Sequence, residues 1–164
     1  MATSLNGYVA GKDDDTDWVK DTEILYKLVA DKGVCVMGRR TYDDCMKYNV
    51  FPYKNALNVV LTHDKKLIKK SSDEIIFTDK NPIEVSRFVE EKGYKEMIVM
   101  GGGKTNSQFL ASNLIDEIII DIHPIILETG VRLFEDIFPR TNLKLIDSET
   151  LTDGMVQTRY KVIK

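Results

Sequence analysis

Short β-rich runs alternate with helical patterns along most of the chain, and this alternation limits its possible folds more than any single motif. Six runs have the length and the β-branched content of strands. They cover residues 2–10, 33–37, 56–62, 74–78, 96–100 and 117–124. Because strands that are connected through helices form mainly parallel sheets, the alternation predicts an α/β fold.

Two of the intervening segments have the sequence signals of complete helices. Residues 21–33 place four aliphatic side chains on one helical stripe and end at Gly33. Residues 81–93 begin with Asn81 as a cap and Pro82 as the first helical residue. Both segments are therefore predicted to be helices that connect strands.

The pattern changes near the end of the chain. Residues 143–151 and 155–163 have strand character, and the turn-forming sequence Thr152-Asp153-Gly154 separates them. This arrangement predicts a C-terminal antiparallel hairpin, so the sheet is expected to be mixed.

Length and charge exclude several classes of function. The chain has 164 residues, which is enough for one domain with a sizeable core, and we expect residues 1–164 to form a single domain.

The formal net charge is −3 and the lysines are spread along the sequence, so no basic stripe indicates a nucleic-acid partner. No apolar run approaches the ~20 residues of a membrane span. Met1 precedes a polar segment and not a signal-peptide core. We therefore expect a cytoplasmic protein without a nucleic-acid or membrane partner.

Cys35 and Cys45 are the two cysteines of the chain. They form no C-x-x-C pair, and no histidine stands beside them. Buried, reduced thiols are the expected state for such residues in a cytosolic protein, and we predict no metal site.

Three consecutive glycines, Gly101 to Gly103, follow the strand-like run 96–100 and precede a helical pattern. A Walker A loop would need a further glycine at Ile98, and the dinucleotide fingerprint would need one at Asn106. At the carboxyl end of a strand, glycines allow a pyrophosphate to approach the backbone, and the following helix N-terminus favours its charge. The alternative is a tight strand-to-helix turn that binds no ligand.

A second strand-to-helix junction has the sequence VMGRRTY. Gly38 ends a strand, the next two arginines supply guanidinium groups, and Thr41 is predicted to cap a helix over residues 41–48. Asp44 stands three positions after Thr41, as in a capping box. Surface arginines are common, so this junction alone is weak evidence, but two such junctions together suit a dinucleotide.

These segments resemble the dihydrofolate reductase superfamily in their order and spacing. The resemblance is carried by ATSLNGYVA, DW, VMGRRTYDDC, NVVLT, IVMGGGKTNSQFL, LIDEIIIDIHPIIL and the final hairpin. It covers essentially the whole chain, and it is strongest to the branch that contains the reductase domain of the bifunctional riboflavin-biosynthesis deaminase-reductase. The resemblance implies a three-layer fold with a mixed, mostly parallel eight-stranded sheet and helices on both faces. It also implies hydride transfer from NADPH and a homodimer.

The resemblance also indicates which residues would bind NADPH. The two junctions would hold the phosphates from opposite sides, and the end of the run 56–62 would meet the adenosine 2′-phosphate. For His63, a solvated loop histidine is the alternative. The residues implied are Gly38, Arg39, Arg40, Thr41, Leu61, Thr62, His63, Gly101, Gly102, Gly103, Lys104, Thr105 and Gln108.

Three residues are candidates for the chemistry. Reduction of a C=N or C=O bond requires a proton from a side chain or a water. Glu23 lies five residues after Trp18, where folate reductases carry an acidic residue, although an exposed first-turn glutamate is an equal alternative. Asp121 interrupts an apolar strand and either lines the cavity or marks a solvent-facing strand end. Asn6 replaces the aspartate of the riboflavin branch, so it can bind a sugar hydroxyl but cannot supply a proton as an acid does.

The substrate stays open among several possibilities. A ribosylamino-pyrimidine phosphate is favoured by the resemblance, and dihydrofolate or another pteridine is the alternative. A non-catalytic NADPH-binding module and a phosphate-binding structural protein are further alternatives, because both would use the same junctions without turnover.

Overall fold

Helices and strands alternate as the sequence predicts. The computed structural model describes residues 1–20, 23–135 and 139–164, and within these ranges it has ten strands and five α-helices. The strands are β1 (Ala2–Ser4), β2 (Tyr8–Ala10), β3 (Val34–Gly38), β4 (Leu57–Leu61), β5 (Ile75–Thr78), β6 (Ile98–Val99), β7 (Glu117–His123), β8 (Val131–Arg132), β9 (Asn142–Thr150) and β10 (Val156–Ile163). The helices are α1 (Glu23–Lys32), α2 (Arg39–Lys47), α3 (Lys65–Ile68), α4 (Pro82–Glu91) and α5 (Gly103–Ala111).

The strands form three sheets. One is parallel, with the order β5-β4-β3-β6. The second has the order β1-β7-β10-β9 and is mixed, because β1 runs parallel to β7 while β10 is antiparallel to both of its neighbours. The third is the short antiparallel pair of β2 and β8.

The expected single eight-stranded sheet is therefore not what the structure shows. The predicted run 2–10 is divided because Gly7 has φ +83° and its N–H donates to the Ser4 carbonyl, which turns the chain. The predicted run 96–100 contributes only the two residues of β6. Within the described residues, β6 pairs with β3 on one side alone, so the parallel sheet ends there.

Helices pack against both faces of the parallel sheet. Val34 and Val36 of β3 join a buried cluster with Val85 and Val89 of α4 and a phenylalanine of α5. The alternate residues Cys35 and Met37 join a second cluster, which contains side chains of α1 and α2. This burial on both faces explains why the strand sequences are continuously apolar.

Local capping signals predict some helix ends well and others less well. Helix α4 has the complete capping box, with the Asn81 side chain accepting from the Glu84 N–H and the Glu84 side chain accepting from the Asn81 N–H. Helix α2, in contrast, begins at Arg39 with Gly38 as its N-cap. Thr41 was expected to cap this helix, but it lies within the first turn because β3 continues into α2 without a loop. The predicted C-terminal hairpin is confirmed by the antiparallel pairing of β9 and β10.

The two thiols are buried and unpaired, as expected. Burial raises the pKa of Cys35 to about 12 and also raises the pKa of Cys45. Neither thiol is therefore a reactive thiolate at neutral pH. No helix in the described part of the chain is long and apolar enough to span a membrane.

Candidate functional site

Three parallel strands end together at one edge of their sheet. The register places Gly38 of β3 beside Leu61 of β4, and Leu61 beside Thr78 of β5. Helix α2 starts directly after Gly38, and helix α5 starts just beyond the end of β6. This edge is the position at which open α/β sheets bind ligands.

The two glycine junctions predicted from the sequence are in direct contact. The Gly38 N–H donates to the Gly101 carbonyl at 2.7 Å. A Cβ on Gly38 would lie 2.6 Å from the Thr105 hydroxyl oxygen, and a Cβ on Gly102 would lie 3.7 Å from that of Thr41. The two predicted anion sites therefore form one continuous site, and the Gly101–Gly102 peptide bond within it is cis.

Both helices that begin at this site have free N-termini. Helices α2 and α5 are each nine residues long, and their N-caps are Gly38 and Gly102. Neither N-cap supplies a side-chain hydrogen bond within the described residues. The N–H groups of two first turns, together with two positive helix dipole ends, are thus available to one anionic ligand.

The three consecutive positions are occupied by glycine for different physical reasons. Gly101 has φ +92°, a conformation that residues with a side chain rarely adopt. A Cβ on Gly103 would lie 2.1 Å from the Arg132 carbonyl oxygen, so close packing of the protein itself requires glycine there. Gly102 has an extended backbone and meets only an ordinary contact at its missing Cβ. Gly102 is therefore the glycine whose absent side chain leaves room for a ligand.

Arg39 connects the start of α2 to the loop after β4. Its Nε donates to both carboxylate oxygens of Asp43, at 2.8 and 2.9 Å, and its Nη1 donates to Asp64 at 3.2 Å. Asp64 also caps the N-terminus of α3. The Lys66 N–H that it accepts there is the main cause of its lowered pKa, and Arg39 adds to it. The loop that was predicted to meet the 2′-phosphate thus lies beside a guanidinium group that two carboxylates already neutralise.

The other predicted cofactor residues differ in their exposure to solvent. Thr62 is buried and its hydroxyl accepts from the Asp64 N–H at 3.1 Å, whereas His63 is exposed. Arg40 is 74 % exposed and lies 3.5 Å from the Asp14 carboxylate. Lys104 and Gln108 are exposed on α5.

A cleft of about 1170 Å³ is lined by residues of this edge and by residues of α1 and α2. Its volume exceeds the usual range of about 300–1,000 Å³ for small-molecule sites. All predicted cofactor residues except Gly101 line it: Gly38, Arg39, Arg40, Thr41, Leu61, Thr62, His63, Gly102, Gly103, Lys104, Thr105 and Gln108.

The three residues predicted for the chemistry do not lie together. Asp121 lines the cleft and accepts a hydrogen bond of 2.6 Å from the Gln157 side chain. Glu23 lies outside the cleft lining, is 80 % exposed and pairs with Lys27 on the same helix. This position matches the exposed first-turn alternative.

Asn6 also lies outside the cleft lining. Its side-chain oxygen accepts from the Ser4 hydroxyl and the Leu127 N–H, and its amide donates to the Leu127 carbonyl. These bonds join the end of β1 to the loop before β8. Within the described residues, the amide of Asn6 thus serves to hold this loop.

Asp44 is a cleft residue that the sequence analysis considered only as part of a capping box. It is half-buried and lines the cleft. Burial raises its pKa, and the nearby negative charge of Asp14 raises it further. A carboxyl group with a raised pKa in a cleft is a candidate functional residue. Asp14 is distant from Asp44 in the sequence, so no local sequence signal reveals this environment.

His123 is a second buried polar residue that the sequence analysis did not consider. Its Nε2 accepts from the Lys20 N–H at 3.1 Å, so Nδ1 carries the proton and donates to the Asp121 carbonyl at 3.0 Å. Trp18 packs edge-to-face on the imidazole, with ring centroids 5.2 Å apart. Trp18 thus anchors the segment before α1 to β7.

Comparison with known proteins identifies relatives along the full length of the chain. The family model described as "RibD C-terminal domain" matches residues 1–157. Protein YyaP of Bacillus subtilis (strain 168), described as uncharacterized, is 28% identical over 171 residues, and the match covers 98% of this chain and 91% of YyaP.

Solved structures with the same fold include two with informative descriptions. A protein of Shewanella sp. PV-4, described as "Putative riboflavin biosynthesis protein", is 28% identical with a TM-score of 0.85, and the match covers 100% of this chain and 97% of that one. The Thermotoga maritima diaminohydroxyphosphoribosylaminopyrimidine deaminase/5-amino-6-(5-phosphoribosylamino)uracil reductase is 17% identical with a TM-score of 0.76. That match covers 99% of this chain but only 55% of the other, and at this identity it shows the fold alone.

Proposed function

The chain belongs to the RibD C-terminal domain family, and we propose that it is an NADPH-dependent reductase of the riboflavin-pathway type. The observation that carries this proposal is the contact between the two glycine junctions, through the hydrogen bond from Gly38 to Gly101. One site with two free helix N-termini suits a pyrophosphate better than a single helix terminus does.

The residues of the cleft fit a dinucleotide phosphate in three respects. Gly102 leaves its backbone open to a ligand, and the N–H groups that begin α2 and α5 can donate to phosphate oxygens. Arg39 and Thr62 are both hydrogen-bonded to Asp64, next to His63, in the loop where the resemblance implies a 2′-phosphate. The bound cofactor would supply a hydride, and the protein would orient it and exclude water. If one charge-assisted contact to the 2′-phosphate forms, NADPH is preferred over NADH by about tenfold.

The proposed substrate is a ribosylamino-pyrimidine phosphate, in keeping with the family and with the description of the Thermotoga relative. A pteridine is the second candidate because of a specific observation. The carboxylates of Asp14 and Asp44 line the part of the cleft next to α2, and Arg40 is already paired with Asp14. Because Arg40 is already paired, this part of the cleft favours a neutral or protonated heterocycle over a phosphorylated ligand.

Turnover of a substrate panel tests the proposed function. Pure protein is incubated with NADPH and either ribosylamino-pyrimidine phosphates or pteridines, and the absorbance of the reduced cofactor is followed. Oxidation with the pyrimidine phosphates is the expected result, and oxidation with pteridines alone would identify the second candidate. If NADPH binds but no substrate is turned over, the protein is a binding module and the proposed activity is wrong.

We also propose that the protein acts as a homodimer, as the resemblance implies. The cytoplasmic location and the lack of nucleic-acid and membrane partners stay predictions from the sequence.

A further inference from the structure

Asp44 has different surroundings from the other carboxylates of the cleft. Asp14 pairs with Arg40, Asp79 with Lys65, and Asp121 with Gln157. The side chain of Asp44 is half-buried and forms no hydrogen bond or ion pair with any residue that the structure describes. Because the Asp44 carboxyl group lines the cleft and has no partner, it is free to exchange a proton with a ligand there.

The position of Asp44 on α2 places it next to the predicted cofactor site. Thr41 lies in the first turn of α2, and Asp44 follows it by three residues, a rise of about 4.5 Å along the axis. Both residues line the cleft, as do Cys45 further along the helix and Tyr48, the C-cap residue. The cleft therefore runs from the glycine junctions along this face of α2.

Apolar side chains also line the cleft, among them Ile24 and Leu28 of α1. The segment before α1 contacts the α2 region at two points, because Asp14 pairs with Arg40 and the Tyr48 hydroxyl donates to Asp17. The cleft lining thus combines aliphatic side chains, which suit a planar heterocycle, with the carboxyl group of Asp44.

The charges around Asp44 favour its protonated form. Burial has the largest effect on its pKa, and Asp14 from the loop and Asp43 from α2 raise it further. Lys47 and Arg40 act in the opposite direction, but the net shift is upward. Asp44 therefore keeps its proton to a higher pH than an exposed aspartate does.

We infer that Asp44 is the proton donor of the reaction, on the basis of its unpaired carboxyl group in the part of the cleft that joins the cofactor site. This inference depends on the proposed function. A hydride with its two electrons adds to the carbon of the substrate C=N or C=O bond, and the π electrons of that bond move to the heteroatom. The heteroatom takes the Asp44 proton, which leaves a carboxylate that solvent protonates again. The substrate is reduced and the nicotinamide is oxidised, so atoms and electrons balance.

Four variants separate this role from the alternatives. Asp44→Asn removes the acid and keeps the shape of the side chain. Asp121→Asn and Glu23→Gln test the residues predicted from the sequence. Asp73→Asn is the matched control, because Asp73 is exposed and stands just before β5, at the opposite edge of the sheet.

Three measurements are made on each variant. Calorimetry gives the NADPH affinity, which we expect to change by less than about twofold in Asp44→Asn, because this residue does not belong to the phosphate site. The pH profile of turnover is measured with the substrate that the panel identifies. Carbon-13 NMR of the aspartate carboxyl groups follows their protonation without any need for activity.

Proton donation by Asp44 predicts a specific pattern. Asp44→Asn lowers kcat by about 10²–10⁴, the usual loss for a general acid, while Asp73→Asn does not change it. Turnover by the wild-type protein falls as pH rises through the Asp44 pKa, and Asp44→Asn lacks this decline. In the NMR titration, the Asp44 carboxyl loses its proton at a higher pH than a free aspartate does.

Contrary results distinguish a wrong assignment of the proton donor from a wrong proposed function. If the wild-type protein oxidises NADPH and Asp44→Asn retains both the rate and the pH decline, the inference about Asp44 is wrong and the proposed function stands. The inference is also wrong if Asp44 titrates as a free aspartate does. If the wild-type protein binds NADPH but reduces no member of the panel, the proposed reaction is refuted, and the donor role with it.

Discussion

The carboxylates around Arg39 limit how strongly this residue can bind a phosphate. Its guanidinium group is not free but shared between Asp43 and Asp64. A phosphate at this position must compete with two carboxylates for the same donors. The contribution of Arg39 to cofactor binding is therefore expected at the lower end of the range for charge-assisted hydrogen bonds.

Replacing Arg39 with alanine should weaken NADPH binding by about tenfold and NADH binding by much less, since NADH has no 2′-phosphate. Calorimetry with both cofactors measures the difference. Arg87→Ala is the control, because Arg87 is an exposed arginine of α4 outside the cleft lining. An unchanged NADPH affinity in Arg39→Ala would mean that Arg39 serves only its two carboxylates. Arg40 would then be the better candidate.

Asp44 should also affect stability in a pH-dependent way. Its pKa is raised in the folded protein, so folding favours the protonated form. The resulting contribution is fully present below the pKa of an unfolded aspartate and is lost as pH rises through the folded-state pKa. Asp44→Asn is therefore expected to raise Tm at pH 7, and the gain should disappear below about pH 4. Thermal unfolding of this variant and of Asp73→Asn across that range tests the sign, and a Tm at pH 7 equal to or below that of the wild-type protein would contradict it.

At the scale of elements, the junction between β6 and α5 combines packing and binding in adjacent glycines. A Cβ at position 103 would collide with the Arg132 carbonyl at 2.1 Å, whereas a Cβ at position 102 has its nearest neighbour at 3.7 Å. Packing of the protein thus leaves no room for a side chain at position 103, whereas position 102 is open toward the cleft.

Two alanine substitutions should separate these roles. Gly103→Ala is expected to lower Tm by several degrees, because the backbone near Arg132 must move. Gly102→Ala should fold with a Tm near that of the wild-type protein but bind NADPH at least about tenfold more weakly, because the new methyl group meets the ligand. Thermal unfolding and calorimetry on both variants check this. Normal cofactor binding by Gly102→Ala would show that the phosphates do not approach this backbone.

The elements also show what the sequence can predict. Helix α4 was predicted closely because its cap and its first proline are local signals within one turn. The start of α2 was predicted too late, because its N-cap is a strand residue, Gly38, with no capping side chain in the described structure. The division of the strands among three sheets depends on pairing between distant segments, which periodicity does not encode.

The candidate functional residues likewise divide into those that local sequence signals predict and those that depend on distant parts of the chain. The glycine junctions could be predicted because a strand end, glycines and a helix start are adjacent in sequence. Asp44 could not be predicted as a cleft residue, because its burial and the nearby charge of Asp14, the two main causes of its raised pKa, arise from the folded structure and not from adjacent sequence. Glu23 and Asp121 were predicted from the resemblance and from polarity, and only Asp121 lines the cleft.

For the whole molecule, the edge strand β9 is the most conspicuous open surface. All nine of its residues are exposed, including Leu143 at 44%, Leu145 at 51% and Ile146 at 48%. Its outer edge pairs with no described strand. We propose a second copy as the occupant of this edge, because antiparallel pairing with Leu145 opposite Ile146 would set Lys144 of one copy against Asp147 of the other.

A charge introduced at the centre of β9 should therefore prevent dimer formation. Leu145→Arg is expected to be monomeric by light scattering after size-exclusion chromatography, whereas the wild-type protein is expected to be a dimer. Ile83→Arg is the matched control, because Ile83 is an equally exposed aliphatic residue on α4. A monomeric wild-type protein, or a dimeric Leu145→Arg, would exclude this surface as the dimer interface.

Hydride transfer itself is the most direct test of the proposed reductase. Protein is incubated with NADPH that carries two deuterium atoms at carbon 4 of the nicotinamide, so that the transferred hydride is labelled whichever face reacts. The products from the pyrimidine and pteridine panel are analysed by mass spectrometry. The proposed mechanism predicts one product that gains a single deuterium from the cofactor, at a rate that Asp44→Asn and Gly102→Ala both lower. Tight NADPH binding without deuterium in any product would contradict the proposed reductase and would leave a protein that only binds the dinucleotide.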